Sequence, residues 1–246
     1  MALKASPAIQ SQLLDIQAID TRMQQLDHKA KSLPELKEIS GHAAQTDAIN
    51  RQLRTESGAV EDARLELGRI EADVAVVQAR TKRDTERLEA SASVKDVAGL
   101  EHELVGLRKR QDDLEEIELG VMERLEGLEA AVRATRLSLD EIQLQLSASE
   151  AERDTALVAV NSESADALAN RTAIVGTLPA ELLALYERQR ARYGFGASLL
   201  QGGVSLASGV KLNAGDLDSI RGAAPDDVVI CPDSQAILVR TAESGI

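Results

Sequence analysis

Large aromatic side chains and cysteine are nearly absent from this sequence. Its 246 residues include two Tyr, one Phe and no Trp, so that aromatics make up 1% of the chain. Because buried aromatics contribute much of the apolar area in most globular cores, this composition argues against a single large core. The one cysteine, Cys231, excludes an intramolecular disulfide and a four-thiolate metal site.

Long apolar runs and net positive charge are missing as well. No stretch of about 18 apolar residues occurs, and the first residues lack the apolar segment of a signal peptide. We therefore expect a cytoplasmic protein that does not enter a membrane. The net charge of -13 argues against wrapping duplex nucleic acid by charge alone. What the chain does contain is 28% charged residues and regularly placed aliphatic residues, a mixture typical of long helices and coiled coils.

Proline is scarce, and its positions divide the chain. None of the five prolines lies between residues 35 and 178, which leaves that segment free to form helix. Apolar residues recur there at heptad spacing in two rows per half, which predicts a coiled coil. One row of each half consists of Ile39, Thr46, Leu53, Val60, Leu67, Val74, Thr81 and Leu88, and of Leu100, Leu107, Leu114, Val121, Leu128, Thr135 and Ile142.

The heptads lose their phase at Ser91-Ala92-Ser93, where we predict that the chain reverses, with Ser93 as the cap of the next helix. Residues 7–90 and 94–177 are equally long, about 125 Å each at 1.5 Å per residue. The prediction is therefore a mainly α fold, with a long antiparallel coiled-coil hairpin over residues 1–177. Pro34 predicts a kink near residues 32–35 and not a second reversal. Two separate helices in a multi-chain bundle are the alternative.

Residues 178–246 have a different character and form the second predicted domain. Pro179 starts an amphipathic helix over residues 180–193, and short β-like runs follow at 197–201, 210–212, 228–231 and 237–240. Asn213 caps a short helix between them. This predicts a small α+β module whose core is held by apolar contacts alone. The residues of this predicted core are Tyr186, Tyr193, Phe195, Leu199, Leu200, Leu212, Leu217, Ile220, Val229, Ile237 and Val239.

Several segments resemble the bacterial C4-type zinc-ribbon family. They are LLDIQAIDTRMQQLDH near the start, VKDVAGLEHEL after the predicted reversal, LPAELLALYERQRAR at the domain junction, and VKLNAGDLDSIR and VVICPDSQAILVRTAESGI in the tail. The resemblance spans nearly the whole chain and implies a long N-terminal coiled-coil hairpin followed by a small zinc ribbon. Similar family members act as adaptors or chaperones for secretion-apparatus or transcription-factor clients, so the resemblance implies such a role.

The zinc ligands of that family are largely lost here. Its two Cys-x-x-Cys pairs fall on Ser205 and Ser208 and on Cys231 and Ser234, so that three of four thiolates are absent. A neutral serine hydroxyl is a poor zinc ligand. We predict a degenerate, zinc-ribbon-like module with no structural zinc and no other cofactor.

A basic cluster with neighbouring aromatics is the strongest candidate for binding in the module. It includes Arg188, Arg190 and Arg192, flanked by Tyr186 and Tyr193. Such a cluster suits the stacking and phosphate contacts of single-stranded nucleic acid, although a solvated helix face with ion pairs to Glu181 and Glu187 explains it as well. Two more arginines complete the set of candidate partner-binding residues, Arg221 and Arg240.

Nothing in the sequence indicates catalysis, because Cys231 lies in a segment without histidine and no phosphate-binding loop occurs. We therefore predict a non-catalytic scaffold, adaptor or chaperone-like protein, a monomer or weak homo-oligomer that binds partner proteins. The alternative is a nucleic-acid-associated factor in transcription or translation that binds through the C-terminal module.

Overall fold

The computed structural model describes residues 3–245. It contains five α-helices, α1 (Pro7–Lys31), α2 (Pro34–Ala90), α3 (Val94–Val175), α4 (Ala180–Tyr193) and α5 (Ala214–Gly222). Five short strands accompany them, β1 (Ala197–Gln201), β2 (Val204–Ser205), β3 (Val210–Lys211), β4 (Val229–Ile230) and β5 (Ile237–Val239), and a 3-10 turn follows at Ala242–Ser244. No helix within residues 3–245 is long and apolar enough to cross a membrane.

The chain forms two compact units that differ from the two predicted domains. One consists of residues Glu35–Ala151, and the other joins the N-terminal segment up to Pro34 to everything from Glu152 onward. The N-terminal segment joins the later residues because α1 packs against the C-terminal module, and the domain boundary between residues 177 and 178 stays a prediction. Leu13 and Ile16 of α1 share a buried cluster with Tyr186 and Ile237 of the module.

The unit Glu35–Ala151 is an antiparallel coiled-coil hairpin, as the heptads predict. α2 ends at Ala90 and α3 begins at Val94, and the hydroxyl of Ser93 accepts a hydrogen bond from the amide of Asp96 (3.4 Å). Ion pairs join the two helices in reversed chain order, Arg80 with Glu103, Glu66 with Arg124 and Arg64 with Glu129. Buried and half-buried side chains together alternate at spacings of three and four residues along both helices. The fully buried ones include Val60, Ala63, Ile70, Leu100, Leu104, Leu114, Val121, Val132 and Ile142.

The second unit contains α1, the end of α3 and the C-terminal module. Lys31 ends α1 and Pro34 begins α2, so the helix break lies where the proline places it. The N-terminal residues pair with the module, which the sequence did not indicate. The amide of Ala5 donates to the carbonyl of Asp226 (2.8 Å), and the amide of Val228 donates to the carbonyl of Leu3 (3.0 Å).

A five-stranded sheet with the order β3-β2-β1-β5-β4 organises the module. β1 and β5 are parallel, and the other neighbours are antiparallel. The four β-like runs of the sequence correspond to β1, β3, β4 and β5, whereas the two-residue strand β2 has no recognisable pattern. The side chain of Asn213 caps α5 by accepting from the amide of Asp216 (2.9 Å).

Two of the aromatic residues that we assigned to the module core lie on its surface. Tyr193 and Phe195 are 42% and 39% exposed, whereas Tyr186 is fully buried. The cause is the end of α4, because Gly194 takes a left-handed conformation (φ 87°) and stops the helix directly after Tyr193. The ring of Tyr186 lies so close to Gly196 that a Cβ atom there would come within 2.4 Å of it.

Candidate partner-binding site

The buried carboxylate of Asp20 is contacted by two of the residues that we expect to bind a partner, Tyr186 and Arg190. Asp20 is 1% exposed and accepts a hydrogen bond from the Tyr186 hydroxyl (2.7 Å). It also pairs with Arg171 (Nε to Oδ1, 2.7 Å) and Arg190 (Nε to Oδ2, 3.2 Å), while Glu187 contacts both arginines. Tyr186 therefore cannot serve as a surface anchor, and Arg190 holds α4 to α1.

The electrostatics of this network keep the Tyr186 phenol and the Arg171 guanidinium in their ordinary charge states. Burial raises the pKa of the Tyr186 phenol, and its hydrogen bond to Asp20 raises it further. The hydrogen bond to Asp20 also raises the pKa of Arg171, against the opposing effect of burial. The phenol thus stays neutral and the guanidinium stays charged. This arrangement fixes structure, and neither of these two groups could exchange a proton near neutral pH.

The other two arginines of the cluster are exposed. Arg188 and Arg192 lie four residues apart on α4, and neither forms an ion pair within residues 3–245. The guanidinium of Arg192 lies over the ring of Tyr193, 5.3 Å from its centroid. These three side chains form the accessible part of the predicted basic and aromatic cluster.

The two remaining candidate arginines differ in role. Arg221 is exposed and pairs with Asp218 on its own helix (2.9 Å). Arg240 instead donates four hydrogen bonds to backbone carbonyls, of Ile220 (3.1 Å), Ala223 (2.9 Å), Ala224 (2.6 Å) and Asp227 (2.9 Å). Its guanidinium thus joins the end of α5 to the loop before β4, and a contact between Arg240 and a partner stays a prediction.

An apolar groove of about 540 Å³ runs between α1 and the module. Its most exposed large apolar side chains are Leu206 (55%) and Phe195 (39%). Among the residues that the structure describes, Arg22 alone brings a charge to its lining, and it pairs with Glu163. The remaining lining residues are Leu14, Gln17, Ala18, Thr21, Gln25, Ala197, Ser198, Leu199 and Ala207.

Backbone contacts hold the wall of this groove in place. The side-chain oxygen of Gln17 accepts hydrogen bonds from the amides of Gly196 (2.8 Å) and Ala197 (3.3 Å). β1 is paired on both sides, so it has no free edge for another strand. The groove can therefore bind apolar side chains of a partner but cannot extend the sheet. Sequence reasoning missed it, because its walls come from segments about 180 residues apart.

The four positions that the sequence resemblance assigns as zinc-ligand positions, Ser205, Ser208, Cys231 and Ser234, lie in two turns of matching geometry. Gly209 donates its amide proton to the carbonyl of Ser205 (2.8 Å), and Gln235 does the same to Cys231 (3.0 Å). In each turn the residue after the second ligand position has a positive φ, 68° at Gly209 and 60° at Gln235. The hydroxyls of Ser208 and Ser234 each accept from the amide two residues further on (3.3 and 3.4 Å).

The first position of each turn is buried, whereas the second positions, Ser208 and Ser234, are half-buried. Ser205 and Cys231 are fully buried, and the Ser205 hydroxyl lies 3.1 Å from that of Ser198. Burial raises the pKa of the Cys231 thiol, but hydrogen bonds from Ser234, Ser205 and the Asp233 backbone outweigh burial and lower it overall.

One thiol with hydroxyl neighbours is a poor donor set for a metal ion. Within residues 3–245 no three His, Cys, Asp or Glu side chains cluster to hold one. The loss of zinc stays a prediction. The three histidines, His28, His42 and His102, lie on α1, α2 and α3 and not in the module itself.

Comparison with known proteins gives consistent results. A family model described as "CT398-like coiled coil hairpin domain" matches residues 16–194. An uncharacterized protein of Mycobacterium tuberculosis is 35% identical over 239 residues, which cover 97% of this chain and 98% of that protein. A solved structure from Mycobacterium smegmatis is 34% identical, with a TM-score of 0.88 over 97% of this chain and 100% of the other. CT398 from Chlamydia trachomatis, at 21% identity, has a TM-score of 0.68 over 95% of this chain and 99% of its own.

Proposed function

Since the chain belongs to the family of CT398-like coiled coil hairpin domains, we propose that it is a non-catalytic cytoplasmic scaffold, adaptor or chaperone-like protein. It binds partner proteins through its hairpin and its C-terminal module. The observation that carries the proposal is the apolar groove between α1 and the module. Phe195, one of only three aromatic residues in the sequence, and Leu206 leave much of their side chains in water there.

The groove has the features of a protein-docking site. Exposed apolar side chains grouped beside a concavity mark interaction surfaces more often than scattered ones do. Its volume accommodates two or three large apolar side chains, which is the usual scale of an anchoring cluster. Gln17 and the paired strand β1 hold the wall rigid, so little ordering opposes binding.

The non-catalytic part of the proposal is supported by the surroundings of the one thiol. Cys231 is buried among hydroxyls and has no histidine or lysine beside it that could act as a general base. A free, reduced cysteine also suits the cytoplasm.

A co-purification experiment with matched variants tests the groove. Phe195→Ser and Leu206→Ser remove its exposed apolar side chains, and Val210→Ser, 51% exposed on β3 and outside the groove, is the control. We expect the immobilised wild-type protein and the control to retain the same protein from a lysate, and the two groove variants to lose it. Equal retention by all four proteins, or no retained protein at all, would contradict the proposal.

We further propose that the module is a zinc ribbon that has lost its metal, on the basis of its two matching turns. The triple substitution Ser205→Cys, Ser208→Cys and Ser234→Cys supplies the missing thiolates beside Cys231. We expect the triple variant to bind one zinc ion per chain and to release it to a chelator, whereas the wild-type protein binds none. A triple variant that folds but binds no zinc would refute the relationship.

A role in binding single-stranded nucleic acid is the second candidate, and the observation that favours it is the exposed group of Arg188, Arg192 and Tyr193. Fluorescence anisotropy with single-stranded RNA and DNA at increasing salt tests it. Two phosphate contacts predict that the double variant R188A/R192A lowers the slope of log K against log salt by about 1.4. The exposed hairpin pair R54A/R69A removes the same net charge and is the control. Absence of binding at low salt would eliminate this candidate.

A further inference from the structure

A groove beside the buried seam of the hairpin exposes two large apolar side chains. Its volume is about 350 Å³, and Leu119 and Met122 of α3 in its lining are 62% and 48% exposed. Leu67 of α2 and Leu125 of α3, which also line it, are half-buried and belong to the seam. We call this site the flank groove, and its other lining residues are Glu123, Glu126 and Glu129.

The α2 side of the flank groove leaves room for a side chain of another molecule. Gly68 lies one turn after Arg64, whose ion-pair partner Glu129 lines the groove. A Cβ atom at Gly68 would meet nothing within 4 Å. Outer positions of a coiled coil normally carry charged side chains. A leucine and a methionine one turn apart beside open space therefore indicate a contact surface, and the flexible methionine side chain suits such a role.

The walls of the flank groove are both helices, which limits the kind of segment that it can receive. The backbone groups of α2 and α3 are bonded within each helix, so an extended peptide finds no free strand edge to pair with. A helix laid lengthwise can place apolar side chains between the walls at spacings of three and four residues. The lined part of α3, residues 119–129, is about 15 Å long and matches about three turns of such a helix.

Charge determines which helix fits the flank groove. The segments that border it, residues 68–78 of α2 and 112–126 of α3, contain nine acidic residues and two arginines. Within the groove, Glu123 and Glu126 are exposed and form no ion pair in the part of the chain that the structure describes. Glu129 is different, because two arginines pair with it. The groove is therefore negative next to its exposed apolar side chains.

The two arginines of the bordering segments do not neutralise this charge, because they lie on the other side of the hairpin. Arg124 pairs with Glu66 there, and Arg69 lies one turn after Glu66 on the same side of α2. Along α3 the next basic residues are Arg110 and Arg133. Each lies about 10 Å or more along the helix axis from the unpaired glutamates and exposed apolar residues of the groove, beyond the Debye length of about 8 Å at physiological salt.

We propose that the flank groove binds a basic amphipathic helix of a partner protein. Apolar side chains of that helix contact Leu119 and Met122, and lysines or arginines beside its apolar stripe face Glu123 and Glu126. The proposal rests on the proposed role of the hairpin in binding partner proteins. It does not depend on the apolar groove between α1 and the module, so the co-purification test of that groove and the test below can fail separately.

Fluorescence anisotropy of the full chain with labelled helical peptides tests the proposal. The probe is a peptide of about 18 residues, or five turns, with leucines in one stripe and lysines beside it. A second peptide has glutamates in place of the lysines, and a third has the composition of the probe in scrambled order. We expect the chain to bind the probe about 100-fold more tightly than the glutamate peptide, since like charges would face each other there. The scrambled peptide should bind weakly, because it has no apolar stripe.

Matched double variants separate the apolar and charged contributions. L119S/M122S keeps every charge and should raise the dissociation constant of the probe by about 100-fold. L137S/L144S, which changes two exposed leucines elsewhere on α3, is its control. E123Q/E126Q should weaken binding by about three- to tenfold, and D140N/E141Q, which removes the same charge outside the groove, is its control. Circular dichroism should show the same helix content for all variants.

Four outcomes would overturn the proposal. They are no binding of the probe at low salt, equal binding of the probe and the scrambled peptide, and equal effects of L119S/M122S and L137S/L144S. The fourth is self-association of the wild-type chain in sedimentation velocity that L119S/M122S abolishes, since it would assign the flank groove to a second copy.

Discussion

Replacing Asp20 with asparagine should weaken the C-terminal unit far more than any surface change of the same kind. The substitution keeps the shape of the side chain and removes its charge. Arg171 and Arg190 then lose their shared anionic partner, while the Tyr186 hydroxyl can still donate to the amide oxygen. The loss thus falls on the two ion pairs that join α1 to α3 and α4.

The size of the effect follows from how deeply the arginines are buried. Removing one partner from a fully buried pair costs about 3–5 kcal/mol. The side chains of Arg171 and Arg190 are 18% and 26% exposed, so water can reach part of each guanidinium. We therefore expect the free energy of unfolding to fall by about 2–4 kcal/mol. At a typical urea dependence this lowers the midpoint by about 1–2 M.

Urea unfolding followed by tyrosine fluorescence measures this change locally. The chain has no Trp, and both tyrosines lie on α4, so the signal reports the module and not the hairpin. Asp27→Asn is the matched control, because Asp27 lies on the same helix and pairs with Lys31 in an exposed position. It should change stability by no more than about 0.5 kcal/mol. Equal midpoints for Asp20→Asn and Asp27→Asn would refute the reasoning.

Three further outcomes are expected. Arg240→Lys should lower the stability of the module by about 1–3 kcal/mol in the same assay, because an ammonium group cannot reach four separate carbonyls; an unchanged midpoint would show that water replaces these bonds without loss. Gly196→Ala should cost about 1–3 kcal/mol through overpacking, since its new methyl group would overlap the phenol ring beside it, and full stability would contradict that contact. The hydrogen bond from Lys4 lowers the pKa of Asp226, so its stabilising effect is present above the ordinary Asp pKa and is lost as pH falls through the lowered pKa. As the pH falls through this lowered pKa, hydrogen exchange at the amides of residues 3–5, corrected for the intrinsic rate, should accelerate. Lys4→Met should remove this pH dependence.

The parts of the fold that local chemistry determines could be predicted from the sequence. Heptad spacing alone located the hairpin seam, because burial there repeats with the helical period. The loss of phase at residues 91–93 located the reversal. Asn213 marked the start of α5 because a side-chain cap acts on the amides directly after it.

The candidate site depended on contacts between distant segments, and the sequence could not show them. Asp20 looks like any other acid on a helix until α3 and α4 place two arginines and a phenol around it. The four carbonyls that Arg240 binds are backbone groups, which leave no trace in the sequence. Sequence reasoning assigns Phe195 to the core because aromatics are usually buried, and only the end of α4 at Gly194 turns it outward.

Site-specific photo-cross-linking tests the groove most directly. A photoreactive benzoylphenylalanine at Leu206 points into the groove, and the same group at Val210 lies outside it on the neighbouring strand. Irradiation in cells should join the protein to one discrete partner protein from position 206 and not from position 210. Adducts of equal yield from both positions, or none from position 206, would contradict the assignment of the groove as a docking site.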